Sequence, residues 1–561
     1  MPLAAGIISR SFTRVSQVTG LIQQQGADPD AQPQLRVEGT TGRFLPFPLL
    51  SLCIDNLTEY RIPSILAVDA NDDSHVALPQ WSSPDLQEGV MKALIDGGAD
   101  INAIPTDEEV EDWPGFTPIR IAIKACNETA FRLLMAEDGL QLGGRGVMGL
   151  PWTLETDRPT EDHEATLLSF YKQLIDRNPT LATETDGEYG DNPVHWVASN
   201  RPVWSQSFID SYLDLLVDSG ADITAVDYRN ATPFHYAAMW GSHRVAASLC
   251  RRLTAADINR GRPNYPHHTP LWSAARELDV GTQLLDDDTA EESSKDYARA
   301  SIPRLKTTIC VLLQAGADIA RLPNATVQDR RRRQLVLVEY TTVLNEVPHV
   351  VMSAINAALR PQREWAALLT CALPQMTKIE LDTLFPRHPC LSPSPQPTNT
   401  IEQGTSESPA DGDSDNRPLA VEDMSAVAWR VASFFVDPSA LEQTPRPVHN
   451  ATLFGRRINK AMDAFVRSAA SLQAAGNQQV VGSGEDSQGP LQCFVLGGAG
   501  GRRLGVREVV HKARLDEAAQ HGVEGVVKGF NEHLDSSDCQ FQWQQLGYID
   551  RRGQFVSLGI N

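Results

Sequence analysis

Few places in the sequence have residue types and spacings from which chemistry could be built. FVLGGAGGRRLG, from Phe494, is an apolar run entering glycines and then a helix-like stretch, the order in which backbone N–H groups cradle phosphate. The detail does not follow through. Gly498 and Gly500 open a G-x-G-x-x-G whose sixth position is Arg503, and no Gly-Lys-Ser or Gly-Lys-Thr is present. Too little chain remains for the further strands and the acid of a dinucleotide fold. A flexible glycine turn is the simpler reading. His267 and His268 are adjacent, so in extended chain their side chains point apart, which argues against a shared metal. His195 and His235 have no second His or Glu at H-E-x-x-H spacing, and the eight cysteines form no C-x-x-C pair. There is no G-x-S-x-G elbow. The expectation is therefore no catalytic residue, no metal site, no cofactor, and a chain that is not an enzyme.

The elements that carry these residues recur. A helix-like stretch ends in Gly-Ala-Asp four times, at 26–28, 98–100, 220–222 and 316–318. A turn followed by a helix start alternates with it: FPLLSLC from Phe47, TPIRIAI from Thr117, NPVHWVA from Asn192, TPFHYAA from Thr232 and TPLWSAA from Thr269. Pro in the first helical turn loses nothing by lacking an N–H, and Thr or Asn before it can cap the orphan N–H groups. Self-similarity of this kind marks a repeat architecture, in which no unit buries its apolar face alone and stacking is obligatory.

The pattern resembles the ankyrin repeat family over roughly residues 10–322. The best copy, DYRNATPFHYAAMWGSHRVAASLCRRLTAADIN from Asp227, has the family's T-P-L-H-x-A turn and its period of about 33 residues. Gly241 is placed to end the first helix in the left-handed conformation, and Val245, Ala246 and Leu249 form the buried stripe of the second. The intervals between Pro48, Pro118 and Pro193 are about double the others. An insertion of polar residues 69–85 accounts for one. A degenerate repeat, with LLSFYKQLIDRNP from Leu167 as its second helix, accounts for the other. A further acidic insertion over 284–301 is expected between the last paired helices. About six divergent repeats are expected in all.

What the resemblance implies is binding of a protein on the concave face, built from the turn tips and the exposed side of the first helices. Aligning the turns DWPGFTP, EYGDNP (from Glu188), DYRNATP and NYPHHTP puts Trp113, Tyr189, Tyr228 and Tyr265 at the tips. Met239 and Trp240 fall where the first helix faces the groove, with Arg276 and Glu277 at the matching places one repeat on. Aromatic rings with a polar handle suit interface hot spots. His195 and His235 take the H of T-P-L-H, whose imidazole hydrogen-bonds between turns in the family; Trp272 replaces it in the last repeat.

The fold class expected is thus mainly α: an ankyrin-like helix-turn-helix solenoid with insertions over 1–322, helical capping segments within 323–388, a disordered Ser/Pro-rich linker over 389–420, and a small, mostly helical or α+β domain over 421–561. LGYIDRRGQFVSLG from Leu546 reads there as a hairpin. At 561 residues with 41% hydrophobic and 21% charged residues, the chain has the composition of a folded soluble protein. Its net charge of −22 argues against nucleic acid, and no apolar run is long enough to insert into a membrane. Arg10, Arg14 and the lack of acids before Asp28 are compatible with a mitochondrial leader, but Val15, Val18, Leu21 and Ile22 at helical spacing favour the opening of the array. The four arginines 330–333 form a single basic run, weak as a nuclear signal. The reading is a cytoplasmic adaptor or scaffold binding a protein partner. The alternative is an array that targets a small C-terminal enzyme or nucleotide/phosphate-binding domain.

Overall fold

A computed structural model describes residues 2–35, 45–57, 65–66, 75–76, 78–104, 117–144, 146–151, 159–199, 203–372, 428–429, 431–433, 448–450, 452–470, 494–497, 502–529, 534, 536–549, 552 and 554–560. The expected linker over 389–420 lies outside them, as does Trp113. The chain is mainly helical with a small antiparallel sheet near its C-terminus. It divides into two compact units, residues 1–313 with 317–336, and residues 314–316 with 337–561.

In the first unit the helices run α1 (Pro2–Ile8), α2 (Val15–Gln25), α3 (Leu49–Leu52), α4 (Pro84–Asp96), α5 (Pro118–Lys124), α6 (Glu128–Met135), α7 (Glu161–Arg177), α8 (Pro193–Ala198), α9 (Gln206–Asp218), α10 (Pro233–Trp240), α11 (His243–Cys250), α12 (Ala255–Ile258), α13 (Pro270–Asp286) and α14 (Glu292–Gln314). Two short antiparallel pairs, β1 (Gln34–Leu35) with β2 (Leu45–Pro46) and β3 (Ile65–Leu66) with β4 (His75–Val76), interrupt them. The first helices of successive pairs lie side by side, α1 on α3, α3 on α5, α8 on α10 and α10 on α13. The second helices do the same, α2 on α4, α4 on α6, α7 on α9 and α9 on α11.

Each recurring sequence feature has a physical task. Gly26, Gly98, Gly220 and Gly316 all have positive φ, between 66 and 102°, which glycine adopts without steric cost. The Asp of all four Gly-Ala-Asp triplets then accepts an N–H two residues on: Asp28 from Asp30, Asp100 from Asn102, Asp222 from Thr224 and Asp318 from Ala320, at 2.7–2.9 Å. These are Asx turns, which redirect the chain with a side-chain bond in place of a backbone one. At the opposite ends Asn192, Thr232 and Thr269 accept N–H groups of the first turns of α8, α10 and α13, each with Pro at the first helical position. Gly241 ends α10 with φ 72°.

The irregular stretches differ in kind. α1 is a helix whose Leu3, Ala4 and Ile7 are buried, so the apolar start of the chain is packed core. Between α5 and α8 lies the short segment 147–150, whose Val147, Met148 and Leu150 are buried: Arg120 and the Tyr171 hydroxyl both donate to Gly149 O, and Tyr212 donates to Met148 O. α7 follows as a second helix; its Phe170 stacks on Phe131 of α6 at 4.1 Å. Residues 284–301 do not form a separate polar insertion. They lengthen α13 and α14, which are joined by the short segment 287–291, with Leu284 and Leu285 half-buried on α13 and Ala298 buried on α14.

α15 (Val327–Ala358), continuous through Pro348, and α16 (Arg360–Ala372) make residues 327–372 helical but for Leu359, with 327–336 in the first unit and the rest in the second. The run 330–333 is engaged within the first unit. Arg331 and Arg332 both pair with Asp279, whose carboxylate is fully buried and also accepts from Gln283. Arg330 donates to Asn324 O and Ala325 O, and Arg333 to Ile319 O.

The second unit joins the later part of α15 and α16 to α17 (Leu453–Ala470) and α18 (Val506–His521), which pack on each other, and to a sheet of order β6-β5-β7-β8. Its strands are β5 (Phe494–Leu496), β6 (Arg503–Leu504), β7 (Leu546–Ile549) and β8 (Phe555–Ser557), all antiparallel, with Tyr548 opposite Val556 in the last hairpin. Its central polar anchor is Arg514 on α18, fully buried. Arg514 donates to the carbonyls of Leu344, Val527 and Lys528 and to Asn345 Oδ1, and burial pushes its pKa down to about 10. Among the described residues no helix is long and apolar enough to cross a membrane.

Removing one member of a buried charge cluster leaves the others desolvated without a counter-charge. Asp279→Ala should therefore lower the urea midpoint at which the first unit unfolds, corresponding to a loss of about 3 kcal/mol. An unchanged midpoint would show that the arginines find other partners.

Candidate functional site

The turns between paired helices bring the predicted tip residues to the surface. Asp227 shapes the first of them: its Oδ1 accepts the N–H groups of Arg229 and Ala231, its Oδ2 accepts the Tyr236 hydroxyl at 2.9 Å, and its own N–H donates to Ala231 O. Asn230 takes φ 57° to complete the turn. The preceding turn is built alike, but its anchor is Asp186, not Glu188. Asp186 Oδ1 accepts from Tyr189 and Gly190, and Asp186 N–H donates to Asp191 O. The turn is one residue longer than the aligned pattern, so Tyr189 corresponds structurally to Arg229, and Gly190, at φ 75°, to Asn230.

At these tips Tyr189 is 39%, Tyr228 71% and Tyr265 54% exposed. Neighbouring tips touch. Tyr228 N–H donates to Tyr189 O at 2.9 Å, the Tyr228 ring lies over Gly190 so closely that a Cβ there would meet it at 2.8 Å, and Arg229 sits over the Tyr189 ring at 5.1 Å. Trp240, 44% exposed, and half-buried Met239 lie at the far end of α10, about 10 Å along the helix from its capped end. Arg276 is exposed and half-buried Glu277 accepts its Nη1 at 2.9 Å; burial raises the Glu277 carboxyl. The structure thus groups Tyr189 with Tyr228, and places Met239 and Trp240 at the other end of the same helix face system.

The tips are set by the two histidines. His195 Nε2 lies 3.2 Å from Ala231 O in the next turn, and His235 Nε2 lies 3.2 Å from His268 O in the turn after that. A carbonyl oxygen only accepts, so Nε2 carries the hydrogen in both rings. In His235 Nδ1 is then free to accept, and it takes the N–H of Thr232 at 3.2 Å; His195 Nδ1 lies 3.2 Å from Asn192 N and 2.7 Å from Asn192 Oδ1. Burial holds both imidazoles neutral, His235 down to about 4.

Sequence reasoning missed two arrangements. In the last turn Tyr265 stacks on His268 at 4.7 Å and His268 on Trp272 at 3.7 Å, with Arg332 over Trp272 at 5.7 Å. Trp272, standing where the earlier units have His, substitutes stacking for the imidazole bridge, and His268 is committed to that column. The second is the cluster of Asp186, Asp191 and Asp227 about Tyr236. The aromatic column lies within one turn but replaces the family's histidine with stacking that its motif does not announce, and the carboxyl cluster draws its members from separate turns. The glycines at 498–501 lie outside the described residues, but their flanks are clear. β5 pairs antiparallel with β6 before α18 begins, and Glu508 already caps the α18 N-terminus through Gly505 N–H. A phosphate-cradling loop instead runs from strand directly into helix.

No protein-family model matches the chain, and no curated protein is significantly similar to it.

The neutral histidines give a signed pH dependence. The folded-state pKa of His235 is depressed, so its contribution is complete above the ordinary histidine value near 6.5 and is lost as pH falls towards 4. At about 1.4 kcal/mol per pH unit across that window, this amounts to about 3 kcal/mol. His235→Gln should flatten that part of the stability–pH profile for unfolding of the first unit; parallel profiles for the two proteins would refute the assignment.

Proposed function

We propose that the first unit is an ankyrin-like array that binds another protein, making the chain an adaptor or scaffold that works without a cofactor. The observation that carries this reading is the set of exposed aromatic tips, Tyr189, Tyr228 and Tyr265, on turns clamped by side-chain hydrogen bonds, the first two also in contact with each other. A tyrosine needing only a turn core for support does not require most of its ring in water, as Tyr228 has. Rings held in fixed positions lose little freedom on binding, and aromatic anchors dominate interface energetics. Trp240 and Met239 extend the apolar area along α10, and Arg276 and Glu277 supply polar groups on the adjoining helix. The stacking of first helices on first helices, with turns repeated at one end, accords with the resemblance noted in the sequence. An acidic chain, at −22, favours a protein partner over nucleic acid and is suited to basic surfaces. In this reading the site of action is the cytoplasm.

The test is quantitative capture of binding proteins from cell extract by the full chain, with identification by mass spectrometry. Tyr228→Ala combined with Trp240→Ala should reduce specific partners at least tenfold, leaving the helical circular-dichroism signal and the melting temperature nearly unchanged. Tyr297→Ala, at an exposed position on α14 away from the tips, should retain them. Equal capture by both variants would remove the tips from the interface.

A further inference from the structure

Asp191 is out of place as an ordinary surface carboxylate. It is only 9% exposed, and its Oδ1 is buried with no hydrogen-bond partner. The acids beside it are already committed. Asp186 receives two N–H groups from its own turn, and Asp227 receives two N–H groups and the Tyr236 hydroxyl. Tyr236 therefore brings one hydroxyl hydrogen to a place where Asp227 and Asp191 both face it. A desolvated carboxylate with an unsatisfied oxygen, beside two further carboxyl groups, is the member of the set that gains most from a proton.

We propose that Asp186, Asp191, Asp227 and the Tyr236 hydroxyl form a proton-binding cluster between two neighbouring turn tips, and that uptake of one proton by Asp191 tightens both. The geometry specifies the mechanical link. Asp191 O closes the 186–191 turn by accepting Asp186 N–H, Asp227 closes the next, and Tyr228 N–H joins the two through Tyr189 O. Burial of the Asp191 charge and its repulsion by Asp186 and Asp227 oppose closure of the turns, and neutralising Asp191 removes that burden while the other two carboxylates stay held by their own donors. Burial first, then Asp186 and Asp227, raise Asp191 to about 6, opposed by the Tyr236 hydroxyl and by Arg229. A raised folded-state pKa gives stability that is full below the ordinary aspartate value and is lost as pH rises through about 6. The titratable imidazole facing the cluster, His195 on α8, works in the opposite sense, since burial lowers its pKa despite Asp227, Asp186 and Asp222 nearby. Mild acidification thus firms the tips until the histidine bridges begin to protonate. Only the consequence, that Tyr189 and Tyr228 are presented to a partner in a pH-dependent way, rests on the protein-binding reading.

The experiment uses the free full-length chain, so it succeeds or fails independently of any partner. Hydrogen exchange is followed at the amides of Tyr189, Gly190, Arg229 and Ala231, corrected for intrinsic rates, from pH 5 to 7.5. Protection should fall on the order of tenfold or more across that range. Asp191→Asn should abolish the step and hold protection at neutral pH near the native acidic level. Tyr236→Phe, which removes the hydroxyl that favours the charged carboxylate, should move the step to higher pH. Native protection that is flat or increases with pH, or an Asp191→Asn chain with the native profile, overturns the proposal. Should Asp191→Asn fail to fold, a Tyr236→Phe step at unchanged pH does so equally.

Discussion

The first unit depends on a hydrogen bond from an imidazole to the carbonyl of the next turn. Without it, neighbouring turns would be joined only by bonds at their tips, such as that from Tyr228 N–H to Tyr189 O, and the helix starts beneath them would lose their tie to the next turn. His195 to Ala231 O and His235 to His268 O supply that tie. In His235 the same ring takes the N–H before its own helix and so leaves that buried donor satisfied. The small residues after each histidine, Ala198, Ala237 and Ala238, are wholly buried and permit close helix approach. At the last turn the bridge gives way to stacking of Tyr265, His268 and Trp272, and beyond it Asp279 draws in Arg331 and Arg332 to close the edge.

The tips inherit their order from this arrangement. A turn fixed at one end by an imidazole and inside by an aspartate has little slack, and that is what places Tyr228 over Gly190 and Arg229 over Tyr189. The same closeness has an electrostatic cost, since Asp186 and Asp227 must share their surroundings with Asp191. The second unit is organised on a different principle. There one buried guanidinium, Arg514, gathers carbonyls and Asn345, and Glu517 of the same helix accepts the Tyr340 hydroxyl.

Legibility in the sequence followed locality. Gly241 at φ 72°, the capping Thr232 and the four Gly-Ala-Asp ends are local chemistry, and each residue type announces its conformation. The hairpin around 550–553 was equally plain from alternation and turn residues. Non-local substitutions were not legible. Nothing near residues 147–150 says that this short segment is held by Arg120, Tyr171 and Tyr212. The acids of 284–301 resemble an insertion until their neighbours are seen to continue two helices. The turn was aligned from Glu188, whereas the chain holds an extra residue and uses Asp186 to accept the turn's N–H groups. The tips themselves were readable as aromatic positions; the carboxyl cluster beneath them was not, because Asp191, Asp227 and Tyr236 meet only when two turns are brought together.

The central claim, that imidazole bridges hold neighbouring turns in register, is tested most directly by hydrogen exchange at single amides in His235→Ala. The amides of Tyr265 and His268, both bonded within the bridged turn, should exchange on the order of tenfold faster, while those of α11 keep their native protection. Native rates at Tyr265 and His268, or uniform loss of protection throughout the first unit, would contradict the account.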